Sequence, residues 1–132
     1  MPALDQCHEQ IANALRKSGW EVDDKPYVIR LTSSRRFFID IQAQRDQNEI
    51  IVVEVKCFAD NQINELYTGI GQYLVYRSLL ERKGISRSLY LAIPSTAYIQ
   101  IIQELAIDII VGEKIKLVVV DLDQEVVEQW LE

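Results

Sequence analysis

The stretch "IIVVEVKCF", from Ile50 to Phe58, decides how the rest of the chain is interpreted. Its β-branched apolar residues are typical of a buried β-strand. Glu54 and Lys56 nevertheless lie in its middle. Side chains two residues apart point to the same face of a strand, about 6.5–7 Å apart. The two charges are therefore expected to project together, while the intervening valines and Cys57 point the other way, into the core.

Two interpretations of the charged pair are open. The first is an amphipathic strand whose charges form a cross-strand salt bridge on a solvated face, the commoner meaning of a Glu-x-Lys spacing taken alone. The second involves Asp40, which lies on the preceding predicted strand, before the turn "RDQN". If that turn closes a hairpin, Asp40 and Glu54 fall near the same end of paired strands.

Such a pair of carboxylates beside a lysine suits a particular chemistry. Two carboxylates held together repel each other, and Mg²⁺ relieves this, since it is held by one or two carboxylates plus water and substrate phosphate. A lysine beside the cation orients or deprotonates the attacking water and stabilises charge on the phosphate. Asp40, Glu54 and Lys56 together therefore predict metal-dependent phosphodiester hydrolysis.

Hydrophobic periodicity predicts the remaining elements. Helices are expected over residues 4–18, 61–83 and 95–111, the first two ended by Gly19 and Gly84. Strands are expected within 20–31, interrupted by a turn at 23–26, and over 36–44, 88–94 and 114–123. Residues 125–132 form either a closing hairpin strand, which the turn residues Asp123-Gln124 favour, or a last turn of helix. This order predicts an α/β fold with a mixed sheet flanked by helices. The length of 132 residues predicts a single domain over residues 1–132.

Composition narrows the functional classes. The net charge of −6 makes the chain a poor general nucleic-acid binder, because such binding rests on Lys and Arg, although a local basic patch or a metal ion would still allow it. No apolar run approaches the roughly 20 residues needed to span a bilayer, and no secretory signal is recognised. The two cysteines, Cys7 and Cys57, predict free thiols in a reducing cytoplasm, with Cys57 packed as a small hydrophobe.

The long central helix offers a second group of polar side chains. Gln72 and Tyr76 are four residues apart and so face the same way. They could support Lys56 or contact a DNA backbone, although simple core packing is equally open for Tyr76. Gly69 and Gly71 are unfavourable in mid-helix, which predicts close packing of this helix on the sheet.

Asp40, Glu54-Val55-Lys56 and Gln72-x-x-x-Tyr76 together resemble the PD-(D/E)XK nuclease superfamily, whose restriction-endonuclease-like fold has an α-β-β-β-α-β core. Ile39 stands where that superfamily often has proline. Over nearly the whole chain, a closer resemblance is to the XisH family, cyanobacterial proteins named as controlling factors for excision of the fdxN DNA element. The segments that carry it are "MPALDQCHEQIANALRKSGW", "FIDIQAQR", "VVEVKCF", "GQYLVYRSLL", "LYLAIP" and "KLVVVDLDQEVVEQWLE".

The resemblance implies a nuclease-like fold and a role in DNA rearrangement, beside a site-specific recombinase and a partner called XisI. It implies catalysis by Asp40, Glu54 and Lys56, with Mg²⁺ or Mn²⁺ on the two carboxylates and Gln72 and Tyr76 in support. A rival hypothesis is a non-cleaving regulator on the same fold that binds XisI or the recombinase, and perhaps DNA. A third is a salt-bridged strand with no site. A homodimer is expected, since cutting two strands suits a two-fold axis.

Four further residues are candidates at the edge of the site. His8 lies on the inward stripe of the first helix, where it either reaches the active-site rim or bonds to Asp5 or to a backbone carbonyl. Arg35 and Arg36 precede the aspartate in a hairpin region from which they could reach a phosphate. Arg77 on the long helix is the third candidate for DNA contact. Surface solubility is the alternative for each arginine.

Overall fold

The computed structural model describes residues 6–46 and 48–132, which form a mixed sheet with helices on both faces. The strands are β1 (Glu21–Val22), β2 (Tyr27–Arg30), β3 (Arg36–Ile39), β4 (Ile41–Arg45), β5 (Glu49–Val55), β6 (Ser88–Pro94), β7 (Leu117–Asp121) and β8 (Val126–Leu131). The helices are α1 (His8–Lys17), α2 (Gln62–Arg82), α3 (Ser95–Ala97) and α4 (Ile107–Gly112), with a π-helix (Tyr98–Ala106) joining the last two. The predicted α/β class is confirmed.

Six strands form one sheet in the order β1-β4-β5-β6-β7-β8. The central strands β5, β6 and β7 are parallel, whereas β1–β4, β4–β5 and β7–β8 are antiparallel. Parallel neighbours require a crossover connection, usually a helix, and α2 and the run from α3 to α4 provide the two that are needed. The predicted closing hairpin is confirmed as β7–β8. No helix in the described part of the chain is long and apolar enough to cross a membrane.

Strand β5 divides the core into two clusters. Val52 and, beyond the strand, Phe58 pack in a cluster with α2, the π-helix and the β2–β3 pair. Val53 and Val55 pack in a second cluster with α1. We call these sides the α2 face and the α1 face of the sheet. The alternation of side chains along a strand places Glu54 on the α2 face, as predicted.

The predicted single strand over residues 36–44 is wrong, because the chain changes pairing partner at Asp40. Before it, β3 pairs with β2 as a separate two-stranded ribbon; after it, β4 joins the main sheet beside β5. The Asp40 carboxylate accepts a hydrogen bond from the backbone N–H of Val55, at 2.8 Å, so a side chain replaces the next main-chain partner of the ladder. Apolar alternation continues unbroken through this point, which is why the pattern did not reveal the break.

The helix ends follow the predicted signals. Gly19 and Gly84 adopt positive φ angles, +95° and +68°, directly after α1 and α2, and only glycine does so at little cost. The side chain of Asn61 caps α2 by accepting a backbone N–H of the first turn. The predicted start of the first helix at Leu4 lies outside the described residues. The predicted strand 114–123 is shorter, comprising only β7.

The prediction of free thiols is also wrong. Cys7, directly before α1, forms a disulfide with Cys57, two residues beyond the end of β5, with their Cα atoms 5.7 Å apart. The two residues are separated by 50 positions in sequence, a spacing that carries no pairing signal. Packing of α1 on the sheet brings them together, and the disulfide ties α1 to the segment that follows Lys56.

Candidate active site

Glu54 is the one buried charged side chain among the described residues, with 4% of its surface exposed. Its Oε1 atom is buried and has no hydrogen-bond partner. Burial and, after it, the neighbouring Asp40 carboxyl raise the pKa of Glu54 to about 9, while Lys56 acts in the opposite direction. In the absence of a cation, Glu54 therefore retains its proton at neutral pH.

Asp40 is held beside Glu54 by the break between β3 and β4. Its Oδ2 atom accepts the Val55 N–H described above, which fixes the carboxylate at the end of β5. On the other side of the same residue, Nε2 of His8 lies 3.4 Å from the Asp40 carbonyl oxygen. His8 thus contacts the backbone of the site, one of the alternatives predicted for it, while Asp5 lies outside the described residues.

Lys56 follows the last residue of β5, and its N–H still donates to the Ala92 carbonyl of β6, at 3.0 Å. Its side chain lies against α2 at Gly69, where an added Cβ atom would be 3.2 Å from Lys56 Cγ and 3.8 Å from Cδ. The close packing predicted from the mid-helix glycines is confirmed at Gly69. It is wrong at Gly71, which is exposed and has open space around it.

The salt-bridge interpretation of the charged pair finds no support. The ion pairs within the described residues are Arg16 with Glu9 and Arg45 with Glu49, both exposed, and neither includes a site residue. Glu54 and Lys56 share a face, but they do not form an ion pair. Within the described residues, the strand therefore buries a carboxyl group that has no ion-pair partner.

Tyr76 adds a hydroxyl group to this environment. It is 8% exposed, and burial raises its pKa to about 12, with the carboxyl groups of Glu54 and Asp40 contributing in the same direction. Gln72, one turn earlier on α2, is half-buried, and its Oε1 atom is buried without a hydrogen-bond partner. The structure thus gives both predicted supporting residues buried polar positions on α2.

Two neighbours on the same helix have structural contacts instead. The Tyr73 hydroxyl donates to the Leu89 carbonyl at 3.0 Å and also accepts a backbone N–H, so its hydrogen bonds hold α2 to the sheet. The Arg77 guanidinium donates to the carbonyls of Glu113 and Lys114, at 2.6 and 3.2 Å, just beyond α4. The structure therefore does not bring Arg77 together with the carboxylates. Of the predicted DNA contacts, Arg35 and Arg36 are exposed near the β2–β3 turn.

No group of three or more His, Cys, Asp and Glu side chains that could bind a metal ion occurs within residues 6–46 and 48–132. A cation would therefore have two protein ligands, Asp40 and Glu54. This fits Mg²⁺, which usually keeps several waters and needs only one or two carboxylates. Sequence reasoning missed the contact of Gly69 with Lys56, although a glycine in mid-helix was the available signal.

Comparison with known proteins identifies the family. The profile of the XisH family, described as "XisH protein", matches residues 1–128. The chain belongs to the XisH family. A crystal structure of an XisH family protein from Nostoc punctiforme PCC 73102 is 34% identical, with a TM-score of 0.85, and the match covers 97% of this chain and 100% of that chain.

A second crystal structure similar to this XisH chain is of a fdxN element excision controlling factor protein from Anabaena variabilis. It is 36% identical, with a TM-score of 0.84, and the match covers 95% of this chain and 97% of that chain. No curated protein matches the chain.

Proposed function

We propose that this XisH protein is a Mg²⁺- or Mn²⁺-dependent phosphodiester hydrolase that acts on DNA, with a restriction-endonuclease-like fold of the PD-(D/E)XK type. The observation that carries the proposal is the position of Glu54: it is buried, lacks an ion-pair partner, and shares the end of β5 with Asp40 and Lys56. A buried carboxyl group with an unpartnered oxygen is costly even when it is protonated, and ionising it there costs more. A strand with a purely structural role would be more stable with an apolar residue there.

Asp40 and Glu54 are the residues that would hold the cation. The Asp40 carboxyl is close enough to oppose ionisation of Glu54, and Glu54 has a buried oxygen with no hydrogen-bond partner. When bound, Mg²⁺ or Mn²⁺ supplies charge neutralisation at a phosphate and lowers the pKa of coordinated water. The backbone hydrogen bond to Asp40 holds one ligand in place before any cation arrives.

Lys56 and Tyr76 supply the remaining polar groups. The Lys56 ammonium, on a half-exposed side chain pressed against Gly69, would orient the attacking water and stabilise charge on the phosphate. Tyr76 keeps its proton throughout the neutral range because its pKa is about 12, so its hydroxyl remains available as a hydrogen-bond donor. Gln72 contributes an amide on the same side of α2, with an unpartnered oxygen.

The biological setting is proposed from the family. The similar Anabaena variabilis protein is named a fdxN element excision controlling factor. We infer by similarity that hydrolysis by this chain serves DNA rearrangement, together with a site-specific recombinase and an XisI-type protein. A homodimer would allow two such sites to act on two strands.

A nicking assay tests the proposal. Purified protein is incubated with supercoiled and branched DNA and Mg²⁺ or Mn²⁺, alone and with an XisI-type protein. Glu54→Ala and Lys56→Ala are expected to lower the nicking rate by about 100-fold or more, the scale on which preorganised electrostatic groups contribute. Lys17→Ala and Glu104→Ala remove the same charges at exposed positions and should retain activity. Absence of nicking under every condition would overturn the proposal.

A second candidate is a non-catalytic regulator that uses the same fold to bind an XisI-type protein or the recombinase. The net charge of −6 favours it, because an acidic surface suits protein contacts better than nucleic acid. The same assay separates the candidates. Retained binding to an XisI-type protein, measured by calorimetry with a protein that nicks no substrate, would support the regulator.

A further inference from the structure

The β2–β3 ribbon, formed by Tyr27–Arg30 and Arg36–Ile39, is a basic segment in an acidic protein. Residues 25–39, "KPYVIRLTSSRRFFI", contain four basic side chains and no acidic one. The whole chain has 14 basic and 20 acidic residues, so the remainder carries 10 basic against 20 acidic. Positive charge is therefore concentrated on one structural element, even though the protein as a whole is a poor electrostatic match for nucleic acid.

The ribbon is amphipathic, and its inner face is anchored beside the candidate active site. Ile29 and Ile39 are buried in the cluster of the α2 face. Phe37 packs edge-on against Tyr76, with ring centroids 6.4 Å apart. Packing of this inner face stabilises the ribbon. It does not account for the residues on the opposite face.

The outer face carries the charge. Arg30 and Arg36 lie directly opposite each other in the register, as do Val28 and Phe38, and alternation places these four residues away from the core. Both arginines are exposed, and the Arg36 guanidinium lies 5.9 Å from the centre of the half-buried Phe38 ring. Two cations and an aromatic ring thus lie on one face of the ribbon, and neither of its two strands contains an acidic residue.

The opposed arginines are an arrangement that the fold alone disfavours. Like charges directly opposite in an antiparallel pair are destabilising. Among the described residues, neither arginine has an ion-pair partner, and the Lys83 ammonium adds a third positive charge by donating to the Arg30 carbonyl. A bound anion with several closely spaced negative charges would relieve the repulsion between the two arginines.

We propose that the outer face of the β2–β3 ribbon binds duplex DNA, with Arg30 and Arg36 contacting phosphates and Phe38 packing against sugars or bases. The choice of DNA rests on the proposed function, since β3 leads directly into Asp40 and the inner face packs on Tyr76. A two-stranded ribbon fits the major groove of B-form DNA, and guanidinium groups bind phosphate through paired hydrogen bonds. A duplex on the ribbon lies next to the candidate active site.

Fluorescence anisotropy with a labelled duplex of about 25 base pairs, in EDTA so that no metal-dependent cleavage occurs, tests the proposal over about 50–200 mM KCl. The double variant Arg30→Gln/Arg36→Gln is expected to bind at least about tenfold more weakly at the lowest salt. Its slope of log affinity against log salt should shrink by about two, since each phosphate contact contributes about 0.9. Phe38→Ala should weaken binding while leaving the slope unchanged.

The matched control is Arg16→Gln/Arg45→Gln, which removes the same charge from two exposed arginines that already have glutamate partners. It should bind DNA like the wild type, and equal weakening would overturn the proposal by showing that only total charge matters. Failure of the wild type to bind the duplex would overturn it too. So would displacement of the DNA by poly-L-glutamate at equal charge concentration, which would identify an acidic protein surface as the partner.

Two further measurements separate this proposal from folding defects and from the nuclease assignment. The thermal midpoint of Arg30→Gln/Arg36→Gln should equal or exceed that of the wild type, because a repulsive pair has been removed, and Arg36→Lys should retain binding. A fall in the midpoint with loss of binding in both variants would count against the ribbon. Salt-dependent binding without nicking would overturn the proposed hydrolase and leave the ribbon as the DNA contact.

Discussion

The two faces of β5 are buried to a similar extent but differ in chemistry. On the α1 face, Val53 and Val55 pack among apolar side chains, and the Cys7–Cys57 disulfide closes that side. On the α2 face, Glu54 and Lys56 occupy the alternate positions, and the Oε1 atom of Glu54 is buried without a hydrogen-bond partner. The apolar residues on the α1 face stabilise the strand. The charged residues on the α2 face, Glu54 and Lys56, are not needed for stability.

The difference between the two faces separates residues that stabilise the strand from residues that are available for function. A buried carboxyl group with an unpartnered oxygen lowers stability relative to an apolar side chain of similar volume. Glu54 is such a group, and its pKa of about 9 reports the cost of ionising it there. Substitutions on the two faces should therefore have opposite consequences for stability and activity.

The largest effect is expected from moving a carboxylate to the other face. Val53→Asp should lower the free energy of unfolding by about 3–5 kcal/mol, because it buries an uncompensated charge. Glu54→Val, one position away, should leave the free energy of unfolding unchanged or raise it by about 1 kcal/mol while abolishing nicking. Urea unfolding of the two variants measures the contrast. Similar losses in both would show that the α2 face is structural as well.

Removal of the disulfide comes next, and it tests how the α1 face is held together. Cys7→Ala/Cys57→Ala should lower the free energy of unfolding by about 2–4 kcal/mol, since the crosslink joins residues 50 positions apart. Dithiothreitol should produce the same shift in the wild type and none in the double variant. Thiol titration of the native protein without reductant should find no free cysteine, and two reactive thiols would contradict the crosslink.

The pH dependence of the free energy of unfolding tests the ionisation of Glu54 on the α2 face. Glu54 has a pKa of about 9 when folded, against 4.5 as the ordinary value, so the native protein holds a proton that the unfolded chain releases. Its contribution to stability is fully present below about pH 4.5 and is lost as the pH rises towards 9, by up to about 1.4 kcal/mol per pH unit. Urea unfolding at several pH values should show this slope in the wild type and a flatter one in Glu54→Gln. Equal slopes would remove Glu54 as its source.

The smallest effect concerns the glycines of α2. Gly69→Ala places a Cβ atom 3.2 Å from Lys56 Cγ, so Lys56 must shift by a few tenths of an ångström. The nicking rate should fall by about threefold to tenfold, because catalysis depends on the position of the reacting groups. Gly71→Ala meets open space, and it should raise stability by up to about 1 kcal/mol without changing the rate. Identical rates in both variants would show that Gly69 does not position Lys56.

Local pattern was sufficient for most of the elements and for the centre of the site. The alternation in β5 predicted that Glu54 and Lys56 share a face, and the hairpin turn predicted that Asp40 lies near them, because side-chain period and turn position are local properties. Helical spacing likewise predicted that Gln72 and Tyr76 point in one direction.

Other features depend on which segments meet, and local pattern does not encode that. Three features depend on contacts between different segments of the chain. They are the change of pairing partner at Asp40, the disulfide between Cys7 and Cys57, and the contact of Lys56 with Gly69. Each arises from the packing of a helix or from strand register.

The sequence by itself determined the α/β class, the buried strand β5 and the grouping of Asp40, Glu54 and Lys56, because periodicity and short turns act within a few residues. Only the tertiary structure decided that Glu54 has no ion-pair partner and that Arg30 opposes Arg36 across the ribbon. The physical reason is that solvation and charge repulsion depend on distances between segments, which are set when the two faces of the sheet are covered.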